Sequence, residues 1–174
     1  FQKMARLVRD LARKSGKTIQ LTTDGEDTEI DRGMVESLND PLVHLIRNAV
    51  DHGLESPSDR QAAGKPAAGT VTLRAYHAAG SVVIELCDDG RGLDRDRILA
   101  KAREKGLVGP AQELTDSEIH RLIFAAGFST ADKVTDVSGR GVGMDVVRRN
   151  VEALRGRVDI ATTPGRGTTF SLRV

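Results

Sequence analysis

Residues 69–92 read GTVTLRAYHAAGSVVIELCDDGRG, and the fold turns on them. Val71, Leu73 and Ala75 alternate with other side chains, and Val82, Ile84 and Leu86 alternate again beyond Gly80. A period of two marks a half-buried strand, and two such runs around a glycine turn make an antiparallel hairpin. The second strand ends at Asp88, where Asp88-Asp89-Gly90-Arg91-Gly92 changes to turn chemistry.

Upstream, Met4, Leu7, Val8 and Leu11 recur at helical spacing, and Gly16 stands where a left-handed stop is wanted. Residues 18–22 place Ile19 and Leu21 on one face of a strand. Asp31 caps a short helix predicted to end at Leu38. Asp40-Pro41 then offers a second helix start, with Leu42, Leu45, Ile46 and Ala49 as its buried stripe. Residues 55–69, rich in Ser, Pro, Gly and Ala, read as a surface loop with a helical turn near Arg60.

Downstream, residues 95–105 read as a helix stopped at Gly106, and Thr115 with Glu118 makes a capping box for a helix through Phe124. Periodicity vanishes over 125–138, a stretch suited to a lid. Met144, Val147, Val151 and Leu154 restore a helix, and strands at 158–161 and 168–174 are joined by Pro164-Gly165. This order predicts one α+β domain over 1–174: a two-layer sandwich, its mixed, mostly antiparallel sheet covered by helices on one face.

Composition removes several function classes. The 26 basic and 25 acidic residues leave a net charge of +1, so no global field draws nucleic acid or anionic membrane, and any anion must be held locally. Cys87, the lone cysteine, excludes a disulfide framework and a cysteine zinc cluster. With 3% aromatics and no Trp, base-stacking platforms have little material. No apolar run reaches the roughly 20 residues of a membrane span. A cytoplasmic, monomeric domain is the expectation.

The chemistry lies in three glycine clusters, at Gly90 and Gly92, at Gly139, Gly141 and Gly143, and at Gly165 and Gly167. Each alone is an ordinary turn. The second runs into the Met144 helix, so free N–H groups of residues 139–143 would converge at its positive end, where glycine lets an anion approach the main chain. A dinucleotide fingerprint is excluded because no strand precedes it. A phosphate-binding P-loop is excluded at Gly16-Lys17-Thr18, because Leu11 occupies the opening glycine position. On the other side, His44 and Asn48 stand one helical turn apart, flanked by Arg47 and Asp51. The Asn48 amide oxygen suits Mg²⁺, a hard cation that shares its shell with phosphates and water.

These stretches resemble the boxes of histidine kinases. His44-Leu-Ile-Arg-Asn48-Ala-Val-Asp51-His52-Gly53 is similar to the N box, Asp88-x-Gly90-x-Gly92 to the G1 box, residues 124–130 to the F box and 139–143 to the G2 box, with Gly167-Thr168 closing the set. The wording is nearest to the ATP-binding catalytic domain of chemotaxis kinases. The resemblance implies the Bergerat (GHKL) fold shared with gyrase and Hsp90, and Mg-ATP as ligand. It implies that Asp88 accepts the adenine amine, that Gly90 and Gly92 seat the base, and that Thr168 buttresses that end. His44 and Asn48 become the catalytic pair, with Asn48 as metal ligand. Arg47, Lys101, Lys133 and Arg140 become phosphate contacts. Asp51, His52, Ser138, Gly139, Gly141, Val142, Gly143 and Met144 complete the nucleotide set. Where hydrolysing relatives carry glutamate, this chain has His44, which favours kinase over ATPase.

The implied phosphate acceptor is a histidine on a separate phosphotransfer domain, since none of the four histidines lies in an acceptor motif. Dimerisation and receptor-coupling domains would accompany it in a full kinase. A Bergerat ATPase of clamp or chaperone type, and a non-catalytic nucleotide-binding module, are the alternatives.

Overall fold

The computed structural model describes residues 2–125, 128 and 143–174. Most of the expected lid, with Lys133 and Ser138, and Gly139, Arg140, Gly141 and Val142 of the second glycine cluster lie outside them. The elements are α1 (Gln2–Ser15), β1 (Ile19–Asp24), α2 (Arg32–Asn48), a π-helical turn (Ala49–Gly53), α3 (Pro57–Ala62), β2 (Gly69–Ala78), β3 (Ser81–Asp88), α4 (Arg95–Glu104), α5 (Asp116–Arg121), a 3₁₀ turn (Leu122–Phe124), α6 (Met144–Ala153), β4 (Arg157–Thr163) and β5 (Gly167–Arg173). The strands form one sheet in the order β1-β2-β3-β5-β4, parallel only between β1 and β2.

The hairpin forms as its alternation requires. Leu73 pairs with Leu86 and Ala75 with Ile84, and all four are buried on the sheet face that meets the helices. Across β5 that face continues through Phe170 and Leu172, and Phe124 meets Phe170 edge to face at 6.5 Å between centroids. The opposite face is polar, with the Tyr76 hydroxyl donating to Glu85 at 2.7 Å and Arg74 at 3.2 Å from the same carboxylate. One apolar face and one polar face is the solution an α+β layer pair requires.

Two expectations are corrected. The helices begun at Asp31 and at Asp40-Pro41 are one helix, α2, with Pro41 inside it. Asp31 does cap, accepting from the Met34 amide at 3.3 Å. Pro41 withholds an N–H from the turn before it, a loss of ~3 kcal/mol in a helix interior. Leu38, Leu42, Leu45 and Ile46, however, continue one buried stripe past the proline. At ~1.5–3 kcal/mol for each fully buried side chain, that stripe outweighs the break.

The segment 55–69 is not merely surface. Arg60, in the short helix α3, is 1% exposed and anchors the loop from inside.

Candidate functional site

Asp88 ends β3 at the point where the hairpin alternation turns it toward the helices. Its Oδ1 accepts from the Gly90 amide at 2.9 Å. Burial pushes its carboxyl up to about 6, against the pull of the Gly90 and Thr168 amides. The π-helical turn that finishes α2 stands directly against it: a Cβ built on Gly53 would sit 3.2 Å from Asp88 Oδ2. A Cβ on Gly90 would lie 2.0 Å from the Gly53 carbonyl oxygen, so only glycine fits where the two loops meet. The Arg91 amide donates to that same carbonyl at 2.9 Å, and Gly92 follows before Leu93 bonds to Thr162.

Thr168 is buried beside Asp88, its hydroxyl 3.0 Å from that of Thr162. Thr162 also donates to the Gly167 carbonyl at 3.2 Å. With that proton engaged, Thr168 donates to Thr162 and keeps lone pairs for a ligand or water. A cleft of about 520 Å³ opens here, lined by Asp88, Thr168, Thr162, Asp159, His120 and Arg121 among others. Its size suits a small-molecule site.

Asn48, the last residue of α2, donates its amide Nδ2 to the Met144 sulfur at 3.0 Å. The N-box helix and the start of α6 are thereby joined, with Gly143 as the α6 N-cap. His44, one turn earlier and half-buried, has its pKa lowered by burial and by Arg47, against the opposing pull of Asp145. Arg47, Asp51 and His52 are exposed on the outer side. Lys101 lies half-buried on α4, an element whose main contacts run to α5 and the 3₁₀ turn.

Three participants escaped the sequence analysis. Asp145 lies in the first turn of α6 and pairs with Arg149 at 3.2 Å; a carboxylate in a first helical turn is usual enough to draw no notice. Thr162 had only strand propensity as a signal. Lys17, set aside with the incomplete P-loop, donates to the Val50 carbonyl at 2.5 Å at the end of the N-box helix. Burial lowers its pKa, with Asp51 opposing.

A half-buried carboxylate and a hydroxyl pair thus line one cleft, and the turn that ends the helix carrying His44 and Asn48 abuts that carboxylate through Gly53. Residues 37–174 match the family described as histidine kinase-, DNA gyrase B- and HSP90-like ATPase, HATPase_c. The chain belongs to this family. The chain is 52% identical over 99% of its length to Chemotaxis protein CheA of Rhizobium meliloti and to that of Salmonella typhimurium. It is 47% identical over 100% of its length to Chemotaxis protein CheA of Bacillus subtilis. It covers 23%, 26% and 26% of those proteins, about a quarter of their length.

Among solved structures, full-length ShkA in complex with AMPPNP shares 22% identity at a TM-score of 0.56, covering 99% of this chain and 28% of that one. The histidine kinase domain of the Erythrobacter litoralis EL346 blue-light activated kinase gives 16% and 0.54, with coverages of 98% and 62%. These share the fold. The α+β architecture expected for a Bergerat domain is thereby borne out, and the HATPase_c domain is CheA-like in sequence. No helix among the described residues is long and apolar enough to cross a membrane.

For a metal, the donor set is the test. The Asn48 Nδ2 is engaged by Met144, which leaves Oδ1, a hard oxygen, as its open ligand atom. No group of three His, Cys, Asp or Glu capable of holding a metal occurs among the described residues. A single open amide oxygen is compatible with Mg²⁺, which takes the rest of its octahedron from phosphate oxygens and water.

Proposed function

We propose that the chain binds Mg-ATP and donates the γ-phosphate to a histidine on a separate phosphotransfer domain, as one domain of a larger chemotaxis sensor kinase. The observation that carries this reading is Asp88, a half-buried acceptor on the cleft with one oxygen held by Gly90. Adenine offers its exocyclic amine to that acceptor. Guanine presents a carbonyl there, so two buried acceptors would oppose each other, and a site built for a donor rejects such an analogue by ~10⁴ or more.

Asn48 Oδ1 would hold Mg²⁺, which when bound would supply charge neutralisation to the phosphates. His44 faces that end from the preceding turn. Its lowered pKa supports a neutral imidazole at pH 7, able to orient the γ-phosphate or take a proton from the attacking acceptor. Phosphoryl transfer asks mainly for such positioning. Arg47, Lys101, Lys133 and Arg140 are assigned to phosphate contacts by the same reading, and Asp51, His52, Ser138, Gly139, Gly141, Val142, Gly143 and Met144 to the rest of the nucleotide set. Coverage of only a quarter of the CheA relatives supports an acceptor and dimerisation machinery supplied by other domains.

The chain is mixed with Mg-ATP and a separate histidine phosphotransfer domain, and phosphohistidine is followed. Transfer that fails with GTP and is abolished by Asn48→Ala is expected. Steady phosphate release without any acceptor would instead make the domain an ATPase of the clamp or chaperone type, and ATP binding without transfer a nucleotide-binding module.

A further inference from the structure

We propose that Arg60 and Lys65, tied together by Glu55, form a clamp that aims the Asp88 carboxylate and so sets how tightly the cleft holds an adenine nucleotide. The inference rests on the reading of Asp88 as the adenine acceptor. Arg60 is 1% exposed, the largest fully buried side chain among the described residues, and lies outside every motif of the sequence. Its Nε donates to the Pro66 carbonyl at 2.7 Å, its Nη1 to Glu55 at 3.3 Å and to the Asp89 carbonyl at 3.1 Å, and its Nη2 to the Asp89 carboxylate at 3.0 Å. Lys65 Nζ donates to Glu55 at 2.7 Å, to the same Asp89 carbonyl at 3.1 Å and to the Gly90 carbonyl at 2.8 Å.

The geometry has one focus. The Asp89 carbonyl and the Gly90 N–H belong to a single planar peptide unit. Two cations hold the oxygen end of that plane, and its N–H end points at Asp88 Oδ1, 2.9 Å away. Fixing one end of a rigid plane aims the other. Cations on the carbonyl also polarise the peptide and strengthen its N–H as a donor. Asp89 is itself pinned, its Oδ1 accepting from the Thr70 amide at 2.8 Å. Burial alone would raise the Glu55 carboxyl, yet Lys65 and Arg60 hold it below its ordinary value, so the four-charge set of Arg60, Lys65, Glu55 and Asp89 is balanced within itself.

Stability alone is a poor reason for such a set. Desolvating charges is costly, and a well-packed apolar group often stabilises as much. What an apolar group cannot do is hold two consecutive carbonyls immediately after Asp88. Arg60 and Lys65 are therefore positioning residues that act through Asp88.

The test is a double-mutant cycle in the 174-residue chain, with ATP as probe and binding followed by calorimetry alongside thermal unfolding. Lys65→Met is expected to weaken ATP binding about fivefold, and to add less than about twofold once Asp88→Asn is present, because coupled residues are non-additive. Lys65→Arg, which keeps the cation, restores affinity, as does Arg60→Lys relative to Arg60→Met. In the nucleotide-free chain, Lys65→Met also moves the Asp88 titration further above about 6, since the aimed amide no longer favours the carboxylate. Losses that multiply across the cycle, or an unmoved titration, overturn the clamp. Unchanged affinity in Asp88→Asn alone overturns the adenine reading instead, so the two failures are distinct.

Discussion

Asp88 holds opposing demands. Its carboxyl is raised from 3.8 to about 6 by burial, so between those values the folded chain retains a proton that the unfolded chain has released. Stability contributed by that protonated group is complete below about pH 4 and is lost as pH rises through about 6. At neutral pH the fold carries a half-buried charge that the Gly90 and Thr168 amides offset only in part. Asp88→Asn removes that charge and keeps an oxygen for the Gly90 amide. We expect the nucleotide-free variant to be more stable than the parent by about 2 kcal/mol at pH 7.5, with the difference vanishing near pH 4. The same variant loses ATP affinity by about tenfold, or ~1.4 kcal/mol. Thermal melts across pH, with calorimetry of ATP binding at pH 7.5, check both halves. Affinity of the parent for ATP should itself rise as pH climbs through 6, because the ionised carboxylate is the better acceptor. Gly90 is constrained differently: with 2.0 Å available to a Cβ, Gly90→Ala must push the G1 turn off Gly53. A loss of ~1–3 kcal/mol in denaturant unfolding, together with weakened ATP binding, is expected.

Elements bring these residues together through their ends. The long helix α2 survives its internal proline because its buried stripe runs on in register, and that continuity holds His44 and Asn48 on one rigid body with the turn whose Gly53 carbonyl meets the Asp88–Arg91 loop. Lys17 secures the far end of this delivery. It puts a cation on the Val50 carbonyl, where the helix presents unsatisfied oxygens and the negative end of its dipole. Lys17→Met should cost about 1 kcal/mol of stability and leave the affinity of the folded chain for ATP nearly intact. Chemical denaturation and binding measured on the same samples separate the two. A large affinity loss at unchanged stability would make Lys17 a phosphate ligand after all.

At the scale of the whole molecule, the candidate site joins β3, β4, β5 and α5 around the cleft, with the turn after α2 against Asp88, so a ligand bound there is linked to folding. Free ATP at 100 times its Kd should stabilise the chain by about 2.7 kcal/mol through mass action. We expect that shift in differential scanning calorimetry with Mg-ATP, a smaller one with ATP and chelator, and none with Mg-GTP. How much of this was legible beforehand follows from the range of the forces. Alternation in 69–88, the capping box at Thr115 and the box residues at Asn48 and Asp88 are local patterns, set by neighbours a few positions apart. They yielded the hairpin, most helices and the recognisable motifs. Pro41 misled because its local penalty is real and is overruled only by burial in a core built from α1, α6 and strands distant in the chain. The roles of Arg60, Lys17 and Thr162 left no local trace, since a charged or hydroxyl side chain looks solvated until a partner tens of residues away, as Asp89, Val50 or Leu93 is here, removes the water; Asp145 hid instead in an ordinary first-turn pattern. The amino-acid order therefore specified which chemistry the chain carries. The assembled fold chose which charges lose their solvent, and with that which oxygen of Asp88 is held and how strongly it keeps its proton.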